Sequence, residues 1–157
     1  MTGIIEEIFI AQLAGQELIA QQSAQLVAGK GIVGDRYYLG EGTFSERLKG
    51  LPDVEVTLIE KEEVDAFNIV AQRSLEAKDF RRNIVTKGYR LNDLVDRTFL
   101  IGNVTLKGIR LCEPCAHLAG ILGNDIMDHM IHKAGLRAQI VTSGDIAPGD
   151  KISLLEN

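Results

Sequence analysis

Short apolar runs separated by glycines dominate the pattern of hydrophobic and polar positions along the chain. Val54, Val56 and Leu58 alternate with polar residues, which is the period-two pattern of a strand with one buried face. Gly102 and Asn103 form a two-residue connection between apolar runs, which predicts a hairpin. Glycines between such runs are typical of tight turns in a β-rich fold. The predicted strands are 3–11, 54–58, 83–86, 98–101, 104–109, 138–142 and 151–155, with a loop over 143–150.

Two segments carry the helical period instead. Residues 60–72 place apolar side chains, among them Val64, on one face with charged residues opposite. Residues 124–134 repeat this pattern, with Asn124 positioned to cap the helix and Gly135 positioned as the left-handed residue that ends it. The pattern therefore predicts a mixed, mainly β fold, in which the strands form a closed or nearly closed barrel with a few peripheral helices.

Composition and charge narrow the class of protein. The chain has 157 residues, 45% hydrophobic and 25% charged, with 17 basic against 22 acidic residues and a net charge of −5. These values are typical of one folded domain spanning 1–157 and argue against disorder or a dedicated nucleic-acid binder. Membrane spans need about 20 apolar residues in a row, and the sequence has no such run. Glu6 and Glu7 interrupt the apolar N-terminus, so we expect a cytoplasmic protein without a signal peptide.

Two cysteines, Cys112 and Cys115, lie three positions apart in LCEPCAHL and are the most informative local feature. Four interpretations remain open. A zinc site would need further ligands from His117, His129 and His132, but the last two fall on the polar face of the predicted helix 124–134. A thioredoxin-like redox pair would need a helix after the cysteines, and residues 116–118 are able to start one. The others are a single reactive thiolate and two buried apolar side chains.

The glycine-rich segment AGKGIVGDRYY, residues 28–38, is a second candidate site. Its closely spaced glycines can present backbone N–H groups, and Lys30 and Arg36 add positive charge, which suits a phosphate or carboxylate. The segment fits neither a P-loop nor a dinucleotide-binding fingerprint. A solvated loop between strands is the alternative interpretation.

The basic segment DFRRNIVTKGYRLNDL, residues 79–94, is a third candidate. Arg81, Arg82 and Asn83 lead directly into a predicted strand, and the planar guanidinium group is suited to binding anions through two hydrogen bonds. This arrangement is a candidate anion clamp, although a solvated charged turn explains the same run of residues. The sequence contains no GxSxG, HExxH or calcium-loop motif, and no flavin or iron–sulfur motif.

Taken in order, these segments resemble the MOSC domain, the family named after the C-terminal domain of molybdenum cofactor sulfurases. The resemblance extends from about Gly29 to the C-terminus through GKGIVGDRYY, VEVTLIEKEEV, FRRNIVTKGYRLNDLVDRTFLIGNVTLKGIRLCEPCAHL and GLRAQIVTSGDIAPGDKISLL. It implies a strand-rich, barrel-like fold with one reactive cysteine.

The resemblance also assigns expected roles to residues. Cys115 occupies the family's P-C-x-x-L position, whose thiolate ligates the molybdenum of a pyranopterin cofactor in members with molybdenum chemistry. Arg81 and Asn83 match the family's R-x-N positions, whereas Arg82 lies where other members differ. Nearby arginines are expected to favour the thiolate form of Cys115. The expected cofactor-binding residues are Arg36, Arg81, Asn83, Lys30 and Cys112.

Three functions follow from the resemblance. The first is a molybdenum-cofactor oxidoreductase that reduces N-hydroxylated compounds, such as hydroxylamino bases, with electrons from a separate reductase. The second is a sulfur carrier that holds a persulfide on Cys115, supplied by a separate cysteine desulfurase. In the sulfurases the MOSC domain follows a pyridoxal-phosphate domain, so pyridoxal phosphate is an association of the family only. The third is a cofactor-binding module without turnover.

Overall fold

The computed structural model describes residues 2–155, which form eleven strands and three α-helices. The strands are β1 (Thr2–Ile10), β2 (Ile19–Ala20), β3 (Ala24–Val27), β4 (Gly31–Ile32), β5 (Val56–Glu60), β6 (Ile84–Lys87), β7 (Thr98–Ile101), β8 (Val104–Leu111), β9 (Leu136–Ile140), β10 (Gly144–Ile146) and β11 (Lys151–Leu154). The helices are α1 (Lys61–Ala71), α2 (Ala116–Leu122) and α3 (Asp125–His129). Short 3-10 helices span Pro52–Val54, Ala77–Phe80 and Leu91–Leu94.

Seven strands close into a barrel, as the sequence predicted. Their order is β11-β7-β8-β9-β5-β6-β1, and β1 pairs back to β11. All neighbours in this ring are antiparallel except β5 and β6, which are parallel and are connected through α1. β2 pairs with the C-terminal end of β1. β10, β3 and β4 form a small second sheet. A closed ring leaves no barrel edge exposed to a neighbouring chain.

Alternate side chains of the strands serve two separate cores. On β5, Leu58 packs inside the barrel with Ile84 and Leu136, whereas Ile59 points outward beneath the helices. The outer core also contains Phe67 of α1, together with residues of α2 and α3. α1 packs against β5 and β6, so this helix lies on the outer face of these two strands.

Most helices and strands whose apolar positions repeat with a clear period lie where that period predicts them. The helix predicted over 60–72 is α1, with Val64 and Phe67 buried. The hairpin predicted around Gly102 joins β7 to β8, and Gly102 has a φ of +56°. The first and last strands of the chain differ slightly from their predicted limits: β1 is shifted by one residue, and β11 ends one residue earlier.

The helix predicted over 124–134 begins where the sequence predicts it, with Asn124 at the N-cap position of α3, but its length and its C-terminal end are wrong. α3 stops at His129, and Asn124 makes no capping hydrogen bond through its side chain. Gly135, with a φ of +119°, does not end the helix but leads directly into β9. A Cβ atom at this position would lie 2.1 Å from the carbonyl oxygen of Leu58. Glycine is therefore required here by the close approach of β5.

Two further differences concern the predicted loops. Residues 143–150 include β10, which pairs with β3. The glycine-rich segment includes β4, which pairs with the other side of β3. These short strands depend on partners distant in sequence, so local alternation gives them no signal. No helix within residues 2–155 combines the length and hydropathy needed to cross a membrane.

Glu60, at the end of β5, generates a prediction about stability. Burial, reinforced by the charge of Glu63, raises the pKa of Glu60 to about 7, although the Leu91 N–H opposes this shift. The folded protein therefore holds a proton that the unfolded chain releases near pH 4.5, so stability falls as pH rises toward 7. We expect Glu60→Gln to raise the free energy of unfolding by about 1 kcal/mol at about pH 8 and by much less at about pH 4, after allowance for partial exposure.

Urea denaturation of both proteins at the two pH values measures this difference. Glu46→Gln, which alters an exposed carboxylate, is the control and is expected to have no comparable pH-dependent effect. A gain for Glu60→Gln that is equal at both pH values would contradict the proposed titration.

Candidate functional site

A narrow cavity of about 40 Å³ lies on the outer face of the barrel, beside the N-terminal end of α2. Its floor includes Thr57 of β5 and Arg137 of β9, which are directly opposed in the register of these strands. The segment after β4 and residues that follow the Ala77–Phe80 turn contribute the other walls. The lining residues are Arg36, Tyr37, Thr43, Phe44, Thr57, Arg81, Arg82, Cys112, Cys115, His117, Leu118 and Arg137.

Both cysteines line this cavity, and neither forms a disulfide. Cys112 follows β8 and is 3% exposed, and its N–H donates to the carbonyl of Gly135 at 2.7 Å. Cys115 is half-buried and lies directly before α2, with its carbonyl accepting from the N–H of Ala119 at 2.9 Å. Cys115 is therefore the more accessible of the two thiols.

Arg36 is held in the cavity wall by an ion pair with the preceding residue, Asp35. Asp35 is completely buried, and its Oδ1 accepts from Nη1 of Arg36 at 3.0 Å and from the N–H of Ala11 at 3.2 Å. Nη2 of Arg36 donates to the carbonyl of Arg81 at 3.0 Å. Its guanidinium group also lies 4.9 Å from the centre of the Tyr37 ring. Arg36 is thus neutralised, oriented and joined to the backbone of the next arginine.

Arg81 differs from the other arginines of the cavity because one of its donor nitrogens is buried without a partner among residues 2–155. Its Nη2 is buried and makes no hydrogen bond within the residues that the structure describes. Burial and the adjacent charge of Arg36 lower the pKa of Arg81. Its backbone is left-handed, with a φ of +64°, a conformation that costs free energy for a residue with a side chain. An unpaired buried donor is costly, so this N–H is suited to an acceptor supplied by a ligand.

Arg82 and Arg137 are bound mainly to backbone carbonyls. The guanidinium group of Arg82 donates to the carbonyls of Ala134, Phe80 and Cys112 at 2.8, 3.0 and 3.2 Å. Arg137 donates to the carbonyl of Asp53 at 3.0 Å. Its guanidinium also lies 5.3 Å from the centre of the Phe44 ring. Both side chains are only 9% exposed, and their contacts hold the walls of the cavity together.

The lining is strongly positive although the whole protein is acidic. Within residues 2–155, the lining contains four arginines and no aspartate or glutamate. Of these arginines only Arg36 pairs with a carboxylate in that part of the chain, and this carboxylate, Asp35, lies behind the wall. Charges of one sign in a partly buried cleft attract a ligand of the opposite sign. The arrangement can therefore bind an anionic group next to a thiol.

Two of the expected cofactor-binding residues lie outside the lining. Asn83 is completely buried, with Oδ1 accepting from both the N–H and the hydroxyl of Thr57 at 3.2 Å, and Nδ2 donating to the carbonyl of Phe9 at 3.1 Å. It therefore connects β1, β5 and β6. Lys30 is exposed, 5.7 Å from the Tyr38 ring, in a separate cavity of about 450 Å³ that shares Tyr37 with the first. Cofactor contacts from these two residues stay predictions.

Sequence reasoning missed Arg137 and the aromatic residue that it contacts, Phe44. The strand was predicted to begin at residue 138, whereas β9 begins at Leu136. If the strand is taken to begin at Leu136, Arg137 lies on its outward face. An arginine among apolar strand residues is unusual and would have marked Arg137 as a candidate site residue. Phe44 lies in an irregular segment, and no local period indicates its position.

The three histidines do not gather around the cysteines. His117 lines the cavity and is exposed, whereas His129 packs against the ring of Phe67 and His132 pairs with Glu113. Within residues 2–155, no three His, Cys, Asp or Glu side chains form a group suited to holding a metal ion.

Comparisons with known proteins identify the family and the fold. A family model for the MOSC domain matches residues 45–153. The structure is similar to the YuaD protein of Bacillus subtilis, with a TM-score of 0.83 and 16% identity over 97% of this chain and 94% of that chain. YiiM of Geobacillus stearothermophilus gives 0.75 and 15% over 98% and 75%, and YiiM of Escherichia coli gives 0.67 and 14% over 100% and 71%. No curated protein matches the sequence significantly.

The contrast between Arg81 and Arg36 generates the next prediction. Arg81→Met removes a buried donor that has no partner, so we expect the free energy of unfolding of the ligand-free protein to stay unchanged or to rise by about 1 kcal/mol. Arg36→Met leaves the buried Asp35 without its cationic partner and is expected to cost about 3–5 kcal/mol.

Chemical denaturation of the two variants and of the original protein measures this order. If Arg81→Met destabilised the ligand-free protein as much as Arg36→Met, Arg81 would be a structural residue like Arg36. The assignment of its free N–H to a ligand would then be wrong.

Proposed function

The chain belongs to the MOSC domain family, and on this basis we propose that it binds a molybdenum cofactor through Cys115 and acts as an oxidoreductase. A cysteine thiolate is a soft ligand, which suits molybdenum, and Cys115 is the more accessible thiol of the cavity. The proposed substrates are N-hydroxylated compounds.

The unpaired Nη2 of Arg81, in the same cavity as Cys115, is the observation that carries this proposal. A buried guanidinium donor with no internal partner is suited to an oxygen of an anionic group held close to the thiol. Arg36 fixes the backbone of Arg81, because its Nη2 donates to the carbonyl of that residue. The thiol and the free donor therefore offer two attachment points for one ligand.

The residues fit the metal and the negative charge of such a cofactor, and the cavity limits how much of it enters. About 40 Å³ accommodates an atom-sized centre with a small ligand but not a pterin ring system. The organic part of the cofactor would therefore bind outside this cavity. We propose that Cys115 and Arg81 hold the metal end.

The proposed reaction converts R–NH–OH, two protons and two electrons into R–NH2 and water. The bound cofactor would supply the two-electron redox chemistry, and a separate reductase would restore the electrons. The protein would contribute the thiolate of Cys115, the hydrogen bond from Arg81 and a positively charged wall that binds and orients the reacting group.

A sulfur carrier is the second candidate, and the small volume of the cavity favours it. One sulfur atom attached to Cys115 needs far less room than a cofactor, and the free donor of Arg81 would bind the resulting perthiolate anion. In this function, a separate cysteine desulfurase would transfer its sulfane sulfur to the Cys115 thiolate and regain its own thiolate.

Metal analysis of protein purified from cells with intact cofactor synthesis tests the first proposal. We expect about one molybdenum per chain, loss of the metal in Cys115→Ser, and reduction of an aryl hydroxylamine by the purified protein with a reduced viologen as electron donor. Cys112→Ser tests which cysteine binds the metal. If only this variant lost molybdenum, the ligand would be Cys112 and not Cys115.

The remaining outcomes separate the candidates. A mass increase of about 32 Da on Cys115, without molybdenum, would contradict the oxidoreductase and support the sulfur carrier. Bound molybdenum without turnover of any N-hydroxylated compound would support a cofactor-binding module instead.

A further inference from the structure

Arg82 joins three separate segments of the chain at the cavity. Its Nε donates to the carbonyl of Ala134 at 2.8 Å, its Nη1 to the carbonyl of Phe80 at 3.0 Å and its Nη2 to the carbonyl of Cys112 at 3.2 Å. These carbonyls belong to the segment before β9, the Ala77–Phe80 turn and the cysteine segment 112–115. One planar guanidinium group therefore fixes the relative positions of all three.

This use of Arg82 contrasts with that of Arg81, its neighbour in sequence. Arg81 keeps an unpaired buried N–H, whereas every nitrogen of the Arg82 guanidinium group donates to a carbonyl. Arg82 is 9% exposed and lines the same cavity. Its positive charge contributes to the cavity, but its donors are directed at the protein backbone.

The cysteine segment is held on both sides of Cys112. The carbonyl of Cys112 accepts from Arg82, and its N–H donates to the carbonyl of Gly135 at 2.7 Å. Gly135 itself packs so closely against β5 that a Cβ atom would meet the carbonyl of Leu58. The position of Cys112 is therefore tied to β5 through Gly135 and to the segment before β6 through Arg82.

We propose that Arg82 is a positioning residue that holds the cysteine segment so that the Cys115 thiol faces the cavity while the Cys112 thiol stays buried. The inference concerns the site of the proposed function, but it requires no molybdenum. Arg82 acts through its hydrogen bonds to three carbonyls and not through its charge, so a lysine cannot replace it.

Thiol labelling of the folded, metal-free protein tests this inference. Brief treatment with iodoacetamide, followed by mass spectrometry, counts the labelled thiols and locates them. We expect labelling of Cys115 alone in the original protein, because Cys112 is only 3% exposed. In Arg82→Gln and Arg82→Lys we expect both cysteines to be labelled, because the Cys112 carbonyl loses its donor.

Arg73→Gln is the matched control for general destabilisation. Arg73 also joins separate elements, since Nη1 binds Asp125 and Nη2 donates to the carbonyl of Leu122, at the opposite end of α2 from the cysteines. We expect this variant to lower the melting temperature while Cys112 stays unlabelled. The melting temperature of each variant is measured alongside, and labelling is carried out well below it.

Three results would overturn the inference. The first is protection of Cys112 in both Arg82 variants. The second is protection in Arg82→Lys alone, which would mean that the charge suffices. The third is equal labelling of Cys112 in Arg73→Gln, which would mean that global opening exposes it. Each can occur whether or not the protein contains molybdenum, so failure of this inference and failure of the proposed function remain distinguishable.

Discussion

Four guanidinium groups surround one small cavity, and the structure depends on holding these like charges together away from water. In the part of the chain that the structure describes, Arg36 is the only one of the four with a buried carboxylate partner, Asp35. Arg82 and Arg137 depend chiefly on backbone carbonyls, which carry partial negative charge without adding a net charge to the site. Arg81 keeps a buried donor that has no partner among residues 2–155. The cavity can therefore remain positive, whereas a full set of carboxylate partners would have cancelled its attraction for an anion.

The barrel explains where those carbonyls come from. Regular strands use their carbonyls within the sheet, so free acceptors occur where the chain leaves β8, enters β9 or turns before β6. These irregular ends meet on the outer face of the barrel beside α2. The cysteine segment is one of them, which is why the thiols and the arginines lie together. Asn83 does not line the cavity, but its hydrogen bonds connect β1, β5 and β6.

The sequence predicted α1 from its helical period, the β7–β8 hairpin from the two-residue connection Gly102-Asn103, and the barrel from short apolar runs separated by glycines. It also identified Cys115, Arg36 and Arg81, which the structure brings to one cavity. It could not distinguish the roles of Arg81 and Arg82, since adjacent arginines in a run look equivalent until their hydrogen-bond partners are known. Arg137 was missed because its strand was predicted to begin too late, and the short strands β3, β4 and β10 depend on distant pairing partners.

In the proposed function, Cys115 and the free N–H of Arg81 are two attachment points for one anionic, metal-containing ligand. The most direct test is X-ray absorption spectroscopy at the molybdenum edge, applied to the purified protein and to a Cys115→Ser variant. Because this variant is expected to lose the metal during purification, it is loaded with the same cofactor afterwards and measured without further purification. The account predicts that the substitution removes one sulfur neighbour from the molybdenum and replaces it with a lighter atom. An identical set of sulfur neighbours in both proteins would contradict it, because the metal would then be held without this thiol.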